Sequence, residues 1–305
     1  MRKYILFSIS IFILFLMAGC AKQPDNAETP APQNAQTEVK QETQTKDRLI
    51  LAIVPSSNPV TFYENIKPLI SYLEKKTGRK IIARFEINYE NITAGLANDY
   101  DMAIMGAYSY LEAHKISGAL PIVKSIRNGK PSYTSLIITH ESTNIEKISN
   151  LKNNNNITYI FTDKFSTSGF LFPAAELIKA GVDFTKSKYK FVKGHDNIVK
   201  NISLKTANIG ACFLGAVERY LEPAKAGEIR VIKITDEIPG DPLVISKKLS
   251  ENADLRKIIT DAFLEIKDSA ILEPLGGGLE GYAPAKDSDY NIIRDKINIV
   301  NKYFK

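Results

Sequence analysis

Four consecutive residues, Ser166-Thr167-Ser168-Gly169, stand where chemistry could occur. They follow an apolar run ending at Phe161 and a short loop, and they precede a segment of helical character. Free backbone N–H groups at a helix start, with the positive end of its dipole, suit a tetrahedral oxyanion. Ser and Thr hydroxyls add donors, and Gly169 permits close approach of backbone to ligand. The same residues also read as an ordinary N-cap, since Ser and Thr are favoured there in any helix. Local spacing leaves both readings open.

Other chemistries find less support. The three histidines, His114, His140 and His195, form no His-x-x-x-His pair, and no Cys-x-x-Cys occurs; the sequence predicts no metal and no cofactor. Ser168-Gly169 lacks the first glycine of a nucleophile elbow. Gly276-Gly277-Gly278 follows helical sequence and is not a nucleotide phosphate loop. Cys212 lies in an apolar stretch and reads as a buried structural thiol. Binding without catalysis is the expectation.

The elements that must position these residues follow a regular order. The chain has 305 residues, 44% of them hydrophobic and 24% charged, which suits two lobes rather than one. Its net charge of +6 includes Arg2 and Lys3, so residues 20–305 carry +4 (6 − 2). The lysines are scattered, which argues against nucleic acid and is compatible with attraction of small anions. From Arg48 onward, apolar runs such as Leu49–Val54, Lys80–Phe85, Met102–Met105 and Ile157–Phe161 alternate with helical segments. The segment Phe62, Ile66, Leu69, Ile70, Leu73 has helical spacing and stops at Thr77-Gly78. This predicts an α/β architecture with mainly parallel sheets. Crossings between lobes are expected near Ser135–Thr139 and Ile232–Val244. The corresponding divisions are 48–138 for lobe 1, 139–234 for lobe 2, and 235–305 for a return to lobe 1 with C-terminal helices.

The amino terminus reads as an address. Arg2 and Lys3 precede an apolar run to Met17, shorter than the ~20 residues of a spanning helix. Leu16-Met17-Ala18-Gly19-Cys20 resembles the bacterial lipobox, so residues 1–19 are a signal peptide and Cys20 is the lipidated residue. Residues 21–46 hold no isoleucine, leucine or aromatic side chain. Such a segment cannot bury enough apolar surface to fold, and 20–47 is expected to be a flexible, lipidated linker. The expected location is the cell envelope, on the extracytoplasmic side of a membrane.

Four motifs in order carry a family resemblance. Ser166-Thr-Ser-Gly-Phe-Leu-Phe-Pro173 looks like the signature of the bacterial phosphonate/phosphate/phosphite ABC-transporter substrate-binding proteins. Tyr72-Leu-Glu-Lys-Lys-Thr-Gly78, Gly194-His195-Asp196 and Ile238-Pro-Gly-Asp-Pro-Leu-Val244 resemble further motifs of that family. The resemblance covers residues 48–280 and implies the two-lobed type II periplasmic-binding-protein fold, hinged by two crossing strands. It implies that Ser166, Thr167 and Ser168, with Gly169, hold a phosphorus oxyanion. It further implies that Tyr89 reaches the ligand from the opposite lobe, that His195, beside Asp196, donates to the oxyanion, and that Asp241 contacts the ligand's other end. Ser56 and Ser57, after the first strand, are expected minor contributors at the carboxyl edge of the sheet.

Two departures narrow the ligand. The second acid that aminoethylphosphonate receptors use falls near Gly215, and a cleft tyrosine falls at Met105. An ammonium buried there would lack a counter-charge. The resemblance therefore points to phosphite, phosphate, methylphosphonate or a related phosphonate. The expected partners are an ABC permease and ATPase and the membrane through Cys20, with the protein acting as a monomer. The alternatives are a lipid-anchored sensor for a membrane kinase or chemoreceptor, or a phosphoester hydrolase.

Overall fold

A computed structural model describes residues 47–304 apart from 56–58, 153, 155 and 277. The expected signal peptide, Cys20, the expected linker up to residue 46, Ser56 and Ser57 lie outside the described residues. The strands are β1 (Arg48–Ile53), β2 (Lys80–Phe85), β3 (Met102–Ile104), β4 (Leu120–Arg127), β5 (Ser132–Tyr133), β6 (Ser135–His140) and β7 (Thr158–Phe161). They continue with β8 (Lys188–Phe191), β9 (Ile209–Phe213), β10 (Ile229–Ile234), β11 (Ile238–Pro239), β12 (Pro242–Ile245) and β13 (Leu279–Pro284). The helices that matter below are α1 (Lys67–Thr77), α2 (Tyr89–Gly95), α3 (Ala107–Ser117), α4 (Phe172–Lys179), α5 (His195–Ser203), α6 (Ala253–Glu265) and α7 (Asn291–Val300).

The strands form one open sheet per lobe, in the two-lobed type II arrangement. Lobe 1 has the order β13-β4-β12-β3-β1-β2, and lobe 2 has β10-β6-β9-β7-β8. Both sheets are mixed, which corrects the expectation of mainly parallel pairing. β1 pairs parallel with β2 and β3, and β7 parallel with β8 and β9. The remaining pairs are antiparallel, because the returning chain lays β12 between β3 and β4 and β10 against β6.

Burial explains the strand compositions. In β1, Leu49, Leu51 and Ile53 pack with Leu69 and Leu73 of α1 and with Ile259 and Phe263 of α6. Ala52 faces the other core, which runs through Met105, Tyr110, Phe161 and Phe172. A strand covered on both faces needs an apolar residue at every position. The helical segment before Gly78 is divided: Pro59–Asn65 and α1 are separate, with Pro68 in the first turn of α1. Proline has no N–H to donate, so it is tolerated only where the helix begins. Gly78 closes α1 in the left-handed region at φ 64°, its N–H donating to Glu74 O at 2.9 Å.

The chain crosses between lobes through β5 and β11, which pair antiparallel with each other, Tyr133 opposite Ile238. The C-terminal segment touches both lobes. Tyr290 packs on Tyr110 and donates to Gly240 O at 3.2 Å. Farther on, buried Lys296 reaches Glu176 (3.1 Å) and Asp236 (2.6 Å). Phe304 then joins Phe170 and Phe184 of lobe 2.

Candidate functional site

The lobe-2 side of the cleft is assembled from two helix starts. After β7, Asp163 shapes the loop: its Oδ1 accepts from Phe165 N at 3.0 Å and its carbonyl accepts from Ser166 N at 3.0 Å. Lys193, which precedes α5, pairs with the buried Asp163 carboxylate and so ties the two helix starts together. Ser166 is extended (φ −75°, ψ 131°) and caps the helix, its Oγ accepting from Gly169 N at 3.0 Å. Thr167–Leu171 form a wide π turn before α4 proper begins at Phe172. The first N–H groups of such a segment have no partner within the helix. Ser166, Thr167 and Ser168 are all buried, and all three line the cleft. Capping by Ser166 is thus compatible with all three hydroxyl residues facing the cleft.

Thr167 also joins the lobes. Its Oγ1 accepts the backbone N–H of Tyr108, at the start of α3 in lobe 1, at 2.9 Å. Its own hydroxyl proton remains available to donate. Ser109 Oγ donates to Phe165 O at 3.0 Å in the same seam.

Two expected residues stand back from the cavity wall. A Cβ on Gly169 would meet Thr162 Oγ1 at 2.0 Å, so this glycine permits packing against the strand end rather than approach of a ligand. Asp196 turns along α5 and pairs with Lys200 at 3.2 Å, complementing the first turn of the helix. Its neighbour His195 is on the cleft, edge-on to Phe213 with ring centroids 4.8 Å apart. Nδ1 of His195 is buried with no hydrogen-bond partner in the protein. Burial pushes the imidazole down to about 4, so the ring is neutral at physiological pH. A neutral imidazole donates from one nitrogen and accepts at the other.

Lobe 1 and the crossings supply the opposite wall. Tyr89 opens α2, where Asn88 Oδ1 caps Glu90 N at 3.0 Å. Tyr89 lines the same cavity as Ser166, and burial pushes its phenol well above its ordinary range. Met105, fully buried, and Gly106 follow β3 on the same wall. On the lobe-2 side, Gly215 follows β9 just beyond the cavity-lining Leu214, with φ 92° and open space where a side chain would begin. Asp241 lines the cavity and accepts from Tyr133 Oη at 3.1 Å. Burial raises its carboxyl, while the Arg127 guanidinium and the Tyr133 hydroxyl pull it down.

Arg127, Tyr133 and Thr134 were not legible in the sequence as site residues. Arg127 ends an ordinary strand, and Tyr133-Thr134 sit in a crossing whose place relative to the cleft is set by the pairing of β5 with β11. The enclosed volume is about 340 Å³, with Ile53, Val54, Phe62 and Ile104 as its apolar side. Among the described residues no cluster of His, Cys, Asp or Glu could hold a metal ion.

Comparison with known proteins agrees with this architecture. Residues 51–290 match the family described as ABC transporter, phosphonate, periplasmic substrate-binding protein. The phosphate-import protein PhnD of Mycolicibacterium smegmatis is 28% identical over 276 residues, covering 81% of this chain and 84% of that protein. The phosphonates-binding periplasmic protein of Escherichia coli is 29% identical over 227 residues, covering 70% and 67%. Among solved structures, PhnD1 of Prochlorococcus marinus in complex with methylphosphonate superposes with a TM-score of 0.74 at 21% identity, covering 84% and 99%. A binding component of an ABC phosphonate transporter from Pseudomonas aeruginosa gives 0.71 at 22% identity, covering 84% and 87%. These structures share the fold, and the match over residues 51–290 fixes the kinship. The chain belongs to the phosphonate-type periplasmic substrate-binding proteins of ABC transporters, and it is a binding protein rather than an enzyme.

Proposed function

We propose that this protein captures a small phosphorus oxyanion (phosphite, phosphate, methylphosphonate or a related phosphonate) by closure of its lobes and presents it to an ABC permease and ATPase. The observation that carries the reading is the convergence of Ser166, Thr167 and Ser168 at a helix start, with Tyr89 of the other lobe lining the same cavity. Hydroxyl and N–H donors in a buried setting bind an oxyanion strongly, because charge-assisted hydrogen bonds contribute about twice what neutral ones do. His195 adds one neutral donor. The relatives named above are a phosphate importer, a phosphonates-binding protein and a methylphosphonate complex, which supports the same class. Gly215 and Met105 leave an ammonium poorly matched, which disfavours aminoethylphosphonate.

Isothermal calorimetry with phosphite, phosphate, methylphosphonate and aminoethylphosphonate tests the proposal. Saturable binding of one of the first three, tighter than aminoethylphosphonate, is the expected result. The reverse order, or no binding at all, would sink it.

We further propose that Cys20 is acylated and anchors a monomeric protein to the extracytoplasmic membrane face. Among the described residues no helix is long and apolar enough to cross a membrane. The tether proposed for residues 20–47 would let the folded body sample the space beside that surface. Fractionation of cells expressing the full chain should place it with membranes, and Cys20→Ala should release it. Light scattering of the released protein should give the monomer mass.

A further inference from the structure

The start of α3 in lobe 1 has no cap of its own. Gly106, the residue before the helix, is extended at φ −69° and ψ 156°, a conformation open to any residue, and it has no side chain to accept a helical N–H. A Ser, Asn or Asp at this place would accept the N–H of Tyr108, the second helical residue, and would suit the helix at least as well. The oxygen comes instead from the other lobe. Thr167 Oγ1 accepts Tyr108 N–H at 2.9 Å in a buried seam. The seam is fixed further by Ser109 Oγ, which donates to Phe165 O at 3.0 Å, and by the edge-on rings of Tyr108 and Phe165, 5.8 Å apart. Space accounts for the glycine: a Cβ at Gly106 would stand 3.1 Å from Thr167 Oγ1 and crowd it.

This borrowed cap determines what Thr167 offers a ligand. A hydroxyl oxygen that accepts an N–H still has one proton to donate. Thr167 is 2% exposed, and among the described residues no group accepts that proton. Gly106 and Thr167 both line the cavity, so an acceptor bound there completes the hydroxyl's bonds. Donation from Tyr108 N–H also polarises the O–H, since hydrogen bonds in a chain reinforce one another. The positive end of the α3 dipole thus acts on the cavity through Thr167.

We infer that Gly106 is a positioning residue of the site: by leaving α3 without a side-chain cap, it hands the Tyr108 N–H to Thr167 of the other lobe and so sets the Thr167 hydroxyl to donate to the oxyanion. This inference rests on the reading of the cleft as a phosphorus-oxyanion site. It makes the cradle a structure shared by both lobes, in which a lobe-1 helix start acts on the anion by relay.

The test is calorimetric, with whichever of phosphite, phosphate and methylphosphonate the wild type binds most tightly. Gly106→Ser gives α3 its own capping oxygen and displaces Thr167. It should weaken binding at least ~tenfold, while the melting temperature of the ligand-free protein stays within about 4 °C of wild type. Gly106→Ala crowds the same oxygen without replacing it and should weaken binding in the same sense. In a Thr167→Val background, Gly106→Ser should cost less than about threefold, because the hydroxyl it acts through is gone. Unchanged affinity in the Gly106 variants overturns the inference. So does an undiminished further loss in the double variant, which would mean that Gly106 reaches the ligand by another route. Failure of both Gly106 variants to fold overturns it as well, because the glycine then serves packing alone. If the wild type binds no phosphorus oxyanion, the ligand reading itself falls, a result distinct from a failure of the relay.

Discussion

The two walls of the cleft follow opposite electrostatic plans. On the lobe-2 side, Ser166, Thr167, Ser168 and a neutral His195 present donors without formal charge, at the starts of two helical segments. On the far side, Arg127, Asp241, Lys130 and Glu237 carry formal charge; Lys130 pairs with Glu237 at 3.0 Å, and Asp241 accepts from Tyr133 at 3.1 Å. On the proposed function, the neutral wall holds the anion and the charged wall faces its substituent. Neutral donors fixed by a helix start lose little on burial and strengthen when charge arrives. A buried ion, by contrast, needs a partner already in place, as Asp241 has in Tyr133.

The largest effect should come from dismantling the neutral wall. Thr167→Val with Ser168→Ala removes two hydroxyl donors, about 3–5 kcal/mol together, so methylphosphonate affinity should fall roughly a thousandfold in calorimetry. A loss below about tenfold would mean that the cradle is elsewhere.

Next in size is a pH effect confined to the same wall. The imidazole of His195, about 4 when folded against an ordinary 6.5, binds its proton more readily unfolded. Its contribution to stability is complete above pH 6.5 and is lost as pH falls toward 4, up to about 3 kcal/mol in all. Urea titrations of the free protein across that window should show this slope, and His195→Gln should flatten it. A variant with an unchanged slope would place the sensitivity in other groups.

Gly169→Ala probes the scaffold beneath the cradle. Its methyl group would enter the space of buried Thr162, at 2.0 Å from Oγ1, and overpacking of this kind costs about 1–3 kcal/mol. The melting temperature should drop, and Thr162→Ala in the same chain should restore part of it. Without any drop, the glycine is not needed for packing.

The smallest change belongs to the charged wall. Tyr133→Phe deletes one hydrogen bond to Asp241, about 1 kcal/mol, so affinity for methylphosphonate should change less than about tenfold. A loss as large as that of the cradle variant would erase the distinction between the walls.

The contrast also tracks what could be read beforehand. The neutral wall is local: strand end, loop, hydroxyls and helix start lie within residues 161–173, and a second helix start follows at Gly194-His195. Capping chemistry and apolar periodicity act over a few residues, so sequence alone determined these starts, the α/β alternation and the family motifs. It did not distribute the tasks within the motif. Which hydroxyl caps, which one bridges to Tyr108 and why Gly169 lacks a side chain depend on Thr162 and α3, which only the fold brings alongside.

The charged wall is non-local throughout. Tyr133 and Asp241 are 108 positions apart and meet because β5 pairs with β11 and β12 lies beside β4. The same returning strand brings antiparallel pairing into the lobe-1 sheet. An arginine at a strand end carries no sign of the acid it will face, since strand order, unlike helix capping, is decided by which surfaces the whole chain can bury together. Sequence determined where an oxyanion could be held; tertiary structure decided what surrounds the rest of the ligand.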